Sequence, residues 1–190
     1  MSAVLVEAGP DKGAVWHFGE PVKEQRALEA GTAWADLSHH NVVAVSGIDR
    51  LKWLHDLTTQ FVSDLQPGVW MPNMILDAKG HIEFQFNLVD DGTITFLVLD
   101  PGYSEQLIEY LTKMKFMLRV EVKDASDEYA VLRAPGAPTA IGGPFALVPR
   151  NEVEEMKKTF GGVATQVGTW AMDAERVAAH RPRIGFETDH

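Results

Sequence analysis

The chain has 190 residues, of which 45% are hydrophobic and 23% charged; this balance is typical of a folded globular protein and excludes an intrinsically disordered one. Its 17 basic and 27 acidic side chains give a formal net charge of -10, which excludes a broad nucleic-acid-binding face because the surface repels phosphate. The absence of cysteine excludes disulfides and thiolate-ligated metals, and the longest apolar run, Ile94 to Leu99, is too short for a membrane span, so we expect a cytoplasmic protein.

The first predicted elements are a helix, a strand and a second helix. Pro21 suits a first helical position and Gly31 a C-cap, which predicts a helix over 21–30. The β-branched run over 41–45 predicts a strand, and Ser46 with Asp49 matches a capping box that would open the next helix. The expected buried face of that helix carries Leu51, Leu54, Leu57 and Phe61.

Residues 70 to 99 predict a three-stranded antiparallel meander. Asp77-Ala78-Lys79-Gly80 has the chemistry of a type I turn between strands over 70–76 and 81–89, and a third strand follows over 93–99. Ser104 would cap a helix, and 118–122 would return as a strand. The helix would bury Leu107, Ile108, Leu111 and Met114. This order predicts an α+β fold of the split βαβ type, with antiparallel sheets and helices packed on one face.

A second set of elements begins near residue 125. We expect a strand over 129–133, a loop over the Pro- and Gly-rich run from 135 to 144, and a helix opened by an Asn151/Glu154 capping box. That helix would bury Val153, Met156 and Phe160. A strand over 169–172 and a helix capped by Asp173 and stopped by Pro182 complete the prediction. We therefore predict one unit over 1–124 and the start of a second, incomplete unit over 125–190.

The residues alone contain no motif that indicates a catalytic, phosphate-binding or metal-binding site. There is no phosphate-binding glycine loop, no H-E-x-x-H and no serine with a recognisable base. His39-His40 is the only histidine pair, and neighbours on an extended chain point to opposite faces, so we expect no shared metal. Turn chemistry already explains Asp77, Asp90 and Asp91.

A family resemblance adds what the residues alone do not. Short segments in a fixed order, covering about residues 17 to 122, resemble the glycine-cleavage T-protein superfamily and, within it, the YgfZ branch. They are His17-Phe18-Gly19-Glu20-Pro21, Glu24-Gln25-Arg26, Asp36-Leu37-Ser38-His39, Val45-Ser46-Gly47-Ile48-Asp49-Arg50, Leu57-Thr58-Thr59-Gln60, Leu65-Gln66-Pro67-Gly68 and Lys79-Gly80-His81-Ile82. The resemblance implies the folate-binding fold, a tetrahydrofolate pocket and an indirect role in synthesis or repair of iron-sulfur clusters, with tRNA-modifying enzymes among the clients.

The sequence departs from the family pattern in three ways, and each limits which family properties we expect of this chain. Phe84 and Gln85 stand where aminomethyltransferases have an Asp-Asp pair, so we expect no catalytic residue and no turnover. Ala178 replaces a glutamate that grips the pterin ring, which weakens folate binding unless Glu83 or Glu187 substitutes. The family's Lys-Gly-Cys-x-x-Gly-Gln-Glu signature and C-terminal barrel are missing, so we expect a truncated or cleaved form, the alternative being a shortened member that lost both.

The resemblance implies a folate-binding wall on the two strands that flank the turn at 77–80. Its residues would be Asn73, Asp77, Gly80, Glu83 and Gln85. Two alternatives remain open, namely a tetrahydrofolate-dependent aminomethyltransferase and a non-catalytic interaction module with a vestigial pocket. An incomplete second unit would expose apolar surface, so we also expect a homodimer.

Overall fold

A computed structural model describes residues 2–137 and 144–188. The centre of the loop predicted over 135–144 lies outside the described residues, as do Asp189 and His190. The strands β1 to β11 are, in chain order, Val4–Leu5, Val15–His17, Ala33–Asp36, Asn41–Ser46, Met71–Leu76, Ile82–Asp90, Ile94–Leu99, Glu121–Asp124, Tyr129–Arg133, Phe145–Pro149 and Thr165–Val167. The helices α1 to α5 are Pro21–Glu29, Arg50–Leu57, Ser104–Met114, Val153–Gly161 and Thr169–Ala178, and a 3-10 turn over Arg150–Glu152 precedes α4.

The chain divides into two compact units, each built from two stretches of sequence. The first unit is Met1–His40 with Asp127–Pro182, and the second is Asn41–Ser126 with Arg183–His190. This division differs from the predicted boundary at 124/125, because β3 pairs antiparallel with β9 and parallel with β11. Backbone pairing with late strands therefore places the first forty residues in the same unit as residues 127–182.

The second unit is a five-stranded sheet in the order β5-β6-β7-β4-β8, and all of its pairings are antiparallel. Helices α2 and α3 pack on one face, as the split βαβ pattern predicts. The core on that face contains Val43, Val45, Trp53, Leu54, Phe84, Phe86, Leu97, Leu107 and Leu111. Alternation along β6 sends Gln85 and Asn87 to the opposite face.

The first unit is a four-stranded sheet in the order β10-β9-β3-β11. Helices lie on both of its faces, as the different neighbours of alternate β3 residues show. Ala33 and Ala35 pack with residues of α1 and α5, whereas the Trp34 ring lies 6.1 Å from the Phe160 ring on α4. As predicted, α4 also directs Val153 and Met156 inward.

One family motif residue, Glu24, proves to be part of this scaffold. Its side chain is 4% exposed; one carboxylate oxygen accepts the Phe18 N–H at 2.7 Å and the other accepts the Gly168 N–H at 3.0 Å. Glu24 thus connects the turn before α1 to the start of α5.

The predicted capping box at Ser46 and Asp49 is wrong. Ser46 ends β4, and α2 begins at Arg50 without a side-chain cap. The Asp49 carboxylate instead accepts hydrogen bonds from the backbone N–H and the guanidinium of Arg119. Phe61 lies beyond the end of α2 and is 62% exposed, so it is not part of the core.

The other predicted caps also lack side-chain hydrogen bonds. The N-cap of α3 is Tyr103 rather than Ser104, and α4 follows the 3-10 turn without a cap from Asn151. Met114, predicted to be inward on α3, is 44% exposed. These helices are therefore stabilised by their packed faces.

The strand predicted over 169–172 is wrong, because those residues form the first turn of α5. The short apolar run does not distinguish the two structures by periodicity alone. The strand lies earlier, at β11, where it pairs with β3, and Asp173 lies inside the helix and pairs with Arg176. No helix within 2–137 and 144–188 is long and apolar enough to cross a membrane.

Candidate functional site

The five residues of the expected folate wall lie on the β5–β6 hairpin of the second unit or in its turn. Asn73 pairs with Phe86 and Met74 pairs with Gln85 across the two strands, and the predicted turn at 77–80 joins them. The hairpin thus brings these residues to one element. Their environments nevertheless differ, and each limits what the side chain can do.

Asn73 is buried, with 1% of its surface exposed. Its amide oxygen accepts the Thr59 hydroxyl and the Gln60 N–H, both at 3.1 Å, and its amide nitrogen donates to the Thr58 hydroxyl at 2.8 Å. Asn73 therefore fastens the segment after α2 to β5. This engagement makes it part of the scaffold rather than a surface that a ligand contacts.

Asp77 organises the hairpin turn. One carboxylate oxygen accepts the N–H groups of His81 and Lys79, each at 2.8 Å, and the other lies 3.0 Å from His81 Nδ1. The pKa of Asp77 is lowered, first by the His81 N–H and then by the Lys79 N–H and the His81 imidazole, although slight burial opposes them. The carboxylate is thus kept ionised, which suits a hydrogen-bond acceptor.

Gly80 is explained by the turn itself. Its φ of +88° is in the left-handed region that favours glycine, and a Cβ there would meet no atom within 4 Å. The residue supplies backbone conformation, and no neighbouring group of the protein requires the absence of a side chain.

Glu83 sits on a β-bulge. Ile75 pairs with Phe84 and Leu76 pairs with Ile82, so Glu83 is the extra residue on β6 and its side chain is exposed. Burial, followed by the charge of Glu83, raises the pKa of Tyr110. Glu83 is therefore an exposed carboxylate close enough to α3 for its charge to act on Tyr110.

Gln85 is half-buried and holds another part of the chain. Its side-chain oxygen accepts the Ile184 N–H at 2.9 Å across 99 positions of sequence. The segment that contains Ile184 is also held at Arg183, whose guanidinium makes two hydrogen bonds of 2.6 and 3.0 Å to Asp100. Sequence reasoning missed this contact, since no spacing pattern relates positions so far apart.

Phe84, at the other position of the family's acid pair, belongs to the core. It is 9% exposed and its ring centroid lies 5.6 Å from that of Tyr110. A carboxylate at this position would be desolvated among apolar side chains. Of the two positions, only 85 lies on the opposite face of the sheet.

Ala178, the residue that replaces the pterin-binding glutamate, is the last residue of α5 in the first unit and is exposed. Glu187, considered as a substitute, is exposed in the second unit, and its carboxylate accepts the Arg183 N–H at 2.9 Å. Glu187 thus helps to shape the segment from 183 to 188.

Comparisons with known proteins place this geometry in a fold. No family model matches the sequence. The chain is 26% identical over 140 residues to a chloroplast protein of Arabidopsis thaliana whose name assigns it provisionally to the transferases; the match covers 72% of this chain and 32% of that protein. The chain thus spans about a third of the length of this curated relative.

A solved structure resembles nearly the whole chain. The glycine cleavage system aminomethyltransferase T of Bartonella henselae superposes with a TM-score of 0.79 at 16% sequence identity, over 95% of this chain and 60% of that one. The expected fold class is confirmed: the chain has the α+β folate-binding fold of the glycine-cleavage T-protein.

Proposed function

We propose that this chain is a cytoplasmic accessory protein that binds a reduced folate without turning it over and supports the synthesis or repair of iron-sulfur clusters. The observation that carries the proposal is the T-protein fold, matched over 95% of the chain. The ordered segments from His17 to Ile82 support the YgfZ branch, and hence iron-sulfur enzymes, including tRNA-modifying ones, as clients.

We assign the ligand contacts of the hairpin to Glu83 and Gln85, with Asp77 as a further acceptor. Glu83 is an exposed carboxylate, which suits the N–H groups of a pterin ring, and Gln85 lies on the sheet face opposite the helices. Asn73 and Gly80 support the hairpin instead, through buried hydrogen bonds and turn conformation respectively.

The expected lack of turnover follows from the groups at the acid-pair positions. A phenylalanine ring cannot exchange a proton, and an amide can only donate and accept hydrogen bonds. Loss of a positioned acid or base lowers a rate by about 100- to 10,000-fold. We therefore propose binding as the activity of this site and disfavour an aminomethyltransferase.

A second candidate is an interaction module with a vestigial pocket. The observation that favours it is that the amides of Asn73 and Gln85 are already hydrogen-bonded to the protein's own Thr58, Thr59 and Ile184. In that case the β5–β6 hairpin would have the structure of the family's pocket but would bind no ligand.

Calorimetry of the whole chain with tetrahydrofolate separates the candidates. Binding that Glu83→Gln weakens by at least about tenfold supports the proposal, since a charged hydrogen bond contributes about 1.5–3 kcal/mol. Gln85→Ala removes a neutral hydrogen bond of about 0.5–1.5 kcal/mol and should weaken binding by about 2- to 12-fold. Asn87→Ala is the matched control, because Asn87 lies on the same face of β6 two residues further along. No binding to the unsubstituted chain would favour the interaction module.

Two further assays test the rest of the proposal. Growth complementation of a YgfZ-deficient strain tests the iron-sulfur role, and failure there together with absent folate binding would remove the idea. Formation of methylenetetrahydrofolate from an aminomethyl donor would instead restore the aminomethyltransferase.

A further inference from the structure

Two turns of the first unit meet at Asp11, His39 and His40. Asp11 lies in the connection between β1 and β2, where the Ala14 N–H donates to its carbonyl at 2.9 Å. The Asp11 carboxylate is 3.0 Å from His39 Nε2, and the His39 and His40 ring centroids are 4.7 Å apart, edge to face. One ligand atom from each of the three residues lies within 4.8 Å of the others.

The expectation that His39 and His40 face opposite ways is wrong. β3 ends at Asp36, and the chain then turns, with the His40 N–H donating to the Leu37 carbonyl at 2.9 Å. The alternation of side chains holds only for extended backbone. The turn brings both imidazoles to the same side.

The turn that carries the histidines is fixed from two directions. Asp36 accepts the Ser38 N–H at 2.9 Å, and the Arg150 guanidinium donates to the Ser38 carbonyl at 2.9 Å. Asp36 is in turn paired with Lys157 at 2.7 Å. Supporting contacts of this kind hold ligand side chains in place before an ion arrives.

Burial distinguishes this group from an ordinary surface pair. Asp11 is 5% exposed, so its carboxylate is shielded from water and attracts a cation held beside it more strongly than an exposed carboxylate does. The His81–Asp77 pair has the same 3.0 Å separation, but its side chains are 55% and 28% exposed. Within the described parts of the chain, Asp11, His39 and His40 are the one such three-residue group found.

We propose that Asp11, His39 and His40 form a binding site for a divalent transition-metal ion of the zinc class. Imidazole nitrogen and carboxylate oxygen are ligands that such ions prefer, and they bind zinc at about 2.0–2.2 Å. Neighbouring ligands of a tetrahedral ion are then about 3.4 Å apart. The Asp11–His39 separation of 3.0 Å is near that value, and the His40 ligand atom, which lies within 4.8 Å of the other two, must move closer by no more than about 1.4 Å.

Three protein ligands leave one position of a tetrahedral ion open. His39 also lines a cleft of about 400 Å³ in the first unit, together with Lys12, Ser38 and Gln166. Of the three proposed ligands only His39 lines the cleft, so the cleft reaches the site at His39 and offers room for water there. This proposal is independent of folate binding, because the expected folate wall lies in the second unit.

Calorimetric titration of the tag-free, chelator-treated chain with Zn²⁺ tests the site. We expect one ion per chain, a rise in melting temperature with Zn²⁺, and visible absorption of a low-symmetry complex with Co²⁺. Asp11→Asn, His39→Gln and His40→Gln should each weaken Zn²⁺ binding by at least about tenfold. His55→Gln, at a half-buried histidine on α2 in the second unit, should leave it unchanged.

Asp11→Asn keeps an acceptor for the turn-to-turn hydrogen bond, and His40→Gln leaves the Asp11–His39 pair intact, so at least one folded variant is expected. The absence of one-to-one binding to the unsubstituted chain overturns the proposal without any variant. Unchanged affinity in the folded variants, or an equal loss in His55→Gln, also overturns it.

Discussion

The guanidinium of Arg50 and the carboxylate of Asp90 are joined by two hydrogen bonds of 2.8 Å across 40 positions of sequence. Asp90 is 1% exposed and also accepts hydrogen bonds from the Thr95 hydroxyl and the Gly92 N–H. The pair fastens the start of α2 to the end of β6. Turn chemistry alone therefore does not account for Asp90.

Breaking this pair should strongly destabilise the chain. Arg50→Ala leaves the Asp90 carboxylate buried without its cation, and such a loss costs about 3–5 kcal/mol. Chemical denaturation measures the change in the free energy of unfolding. Lys52→Ala, which removes an exposed ion pair with Asp56 on the same helix, is the control and should produce no measurable change.

Stability should fall in acid, with Asp90 among the causes. Burial raises the pKa of Asp90, but hydrogen bonds from Arg50, Thr95 and Gly92 outweigh it and leave the pKa lowered. A carboxyl with a lowered pKa contributes fully above its unfolded value, about 3.9, and loses that contribution as pH falls through its folded value. Burial likewise raises the pKa of Asp36, but hydrogen bonds from Lys157 and Ser38 outweigh it and leave the pKa lowered. The contribution of Asp36 to stability is therefore also lost in acid.

Urea denaturation at a series of pH values below about 5 measures this dependence. The side-chain amide of Asp90→Asn cannot titrate, so the free energy of unfolding of this variant should depend less steeply on pH than that of the unsubstituted chain. An equally steep loss of stability in acid for both chains would contradict the assignment to Asp90.

Gly80→Ala should destabilise the hairpin without creating a clash. Its φ of +88° disfavours a Cβ by about 1–2 kcal/mol, whereas the space around it is open. Gly161→Ala is the matched control, because Gly161 ends α4 without a positive φ and also has open space. Thermal melts should show a loss in the first variant and none in the second.

Glu24→Gln should weaken the first unit by about 1.5–3 kcal/mol, since the new amide group cannot accept both N–H groups that the carboxylate accepts. Denaturation measures the loss. Glu29→Gln at the exposed end of α1 serves as the control, and an equal effect there would show that the buried hydrogen bonds of Glu24 contribute little.

Asp100→Ala should loosen the segment from 183 to 188. The Arg183–Asp100 pair is largely buried, with side-chain exposures of 12% and 13%, and it holds one end of that segment. Amide hydrogen exchange should become faster at Ile184 and Gly185. Asp64→Ala, at an exposed residue of the same unit, should leave that exchange unchanged, and protection retained in Asp100→Ala would contradict the role of the pair.

Local patterns in the sequence predicted much of the secondary structure. Pro21 begins α1, the strands around the turn at 77–80 lie where the alternation predicts, and β9 was predicted with its observed ends. These elements depend on neighbouring residues, through fixed φ, turn hydrogen bonds and apolar periodicity. The ordered family segments also predicted the fold class.

Contacts between distant residues were decided only by the tertiary structure. Pairing of β3 with β9 and β11 sets the composition of the two units, and the long-range partner of Gln85 is Ile184. The turn after β3 brings His39 and His40 together beside Asp11, whereas the sequence by itself predicted that the two histidines point to opposite faces. The physical reason is that backbone pairing and burial join positions that local preference cannot relate.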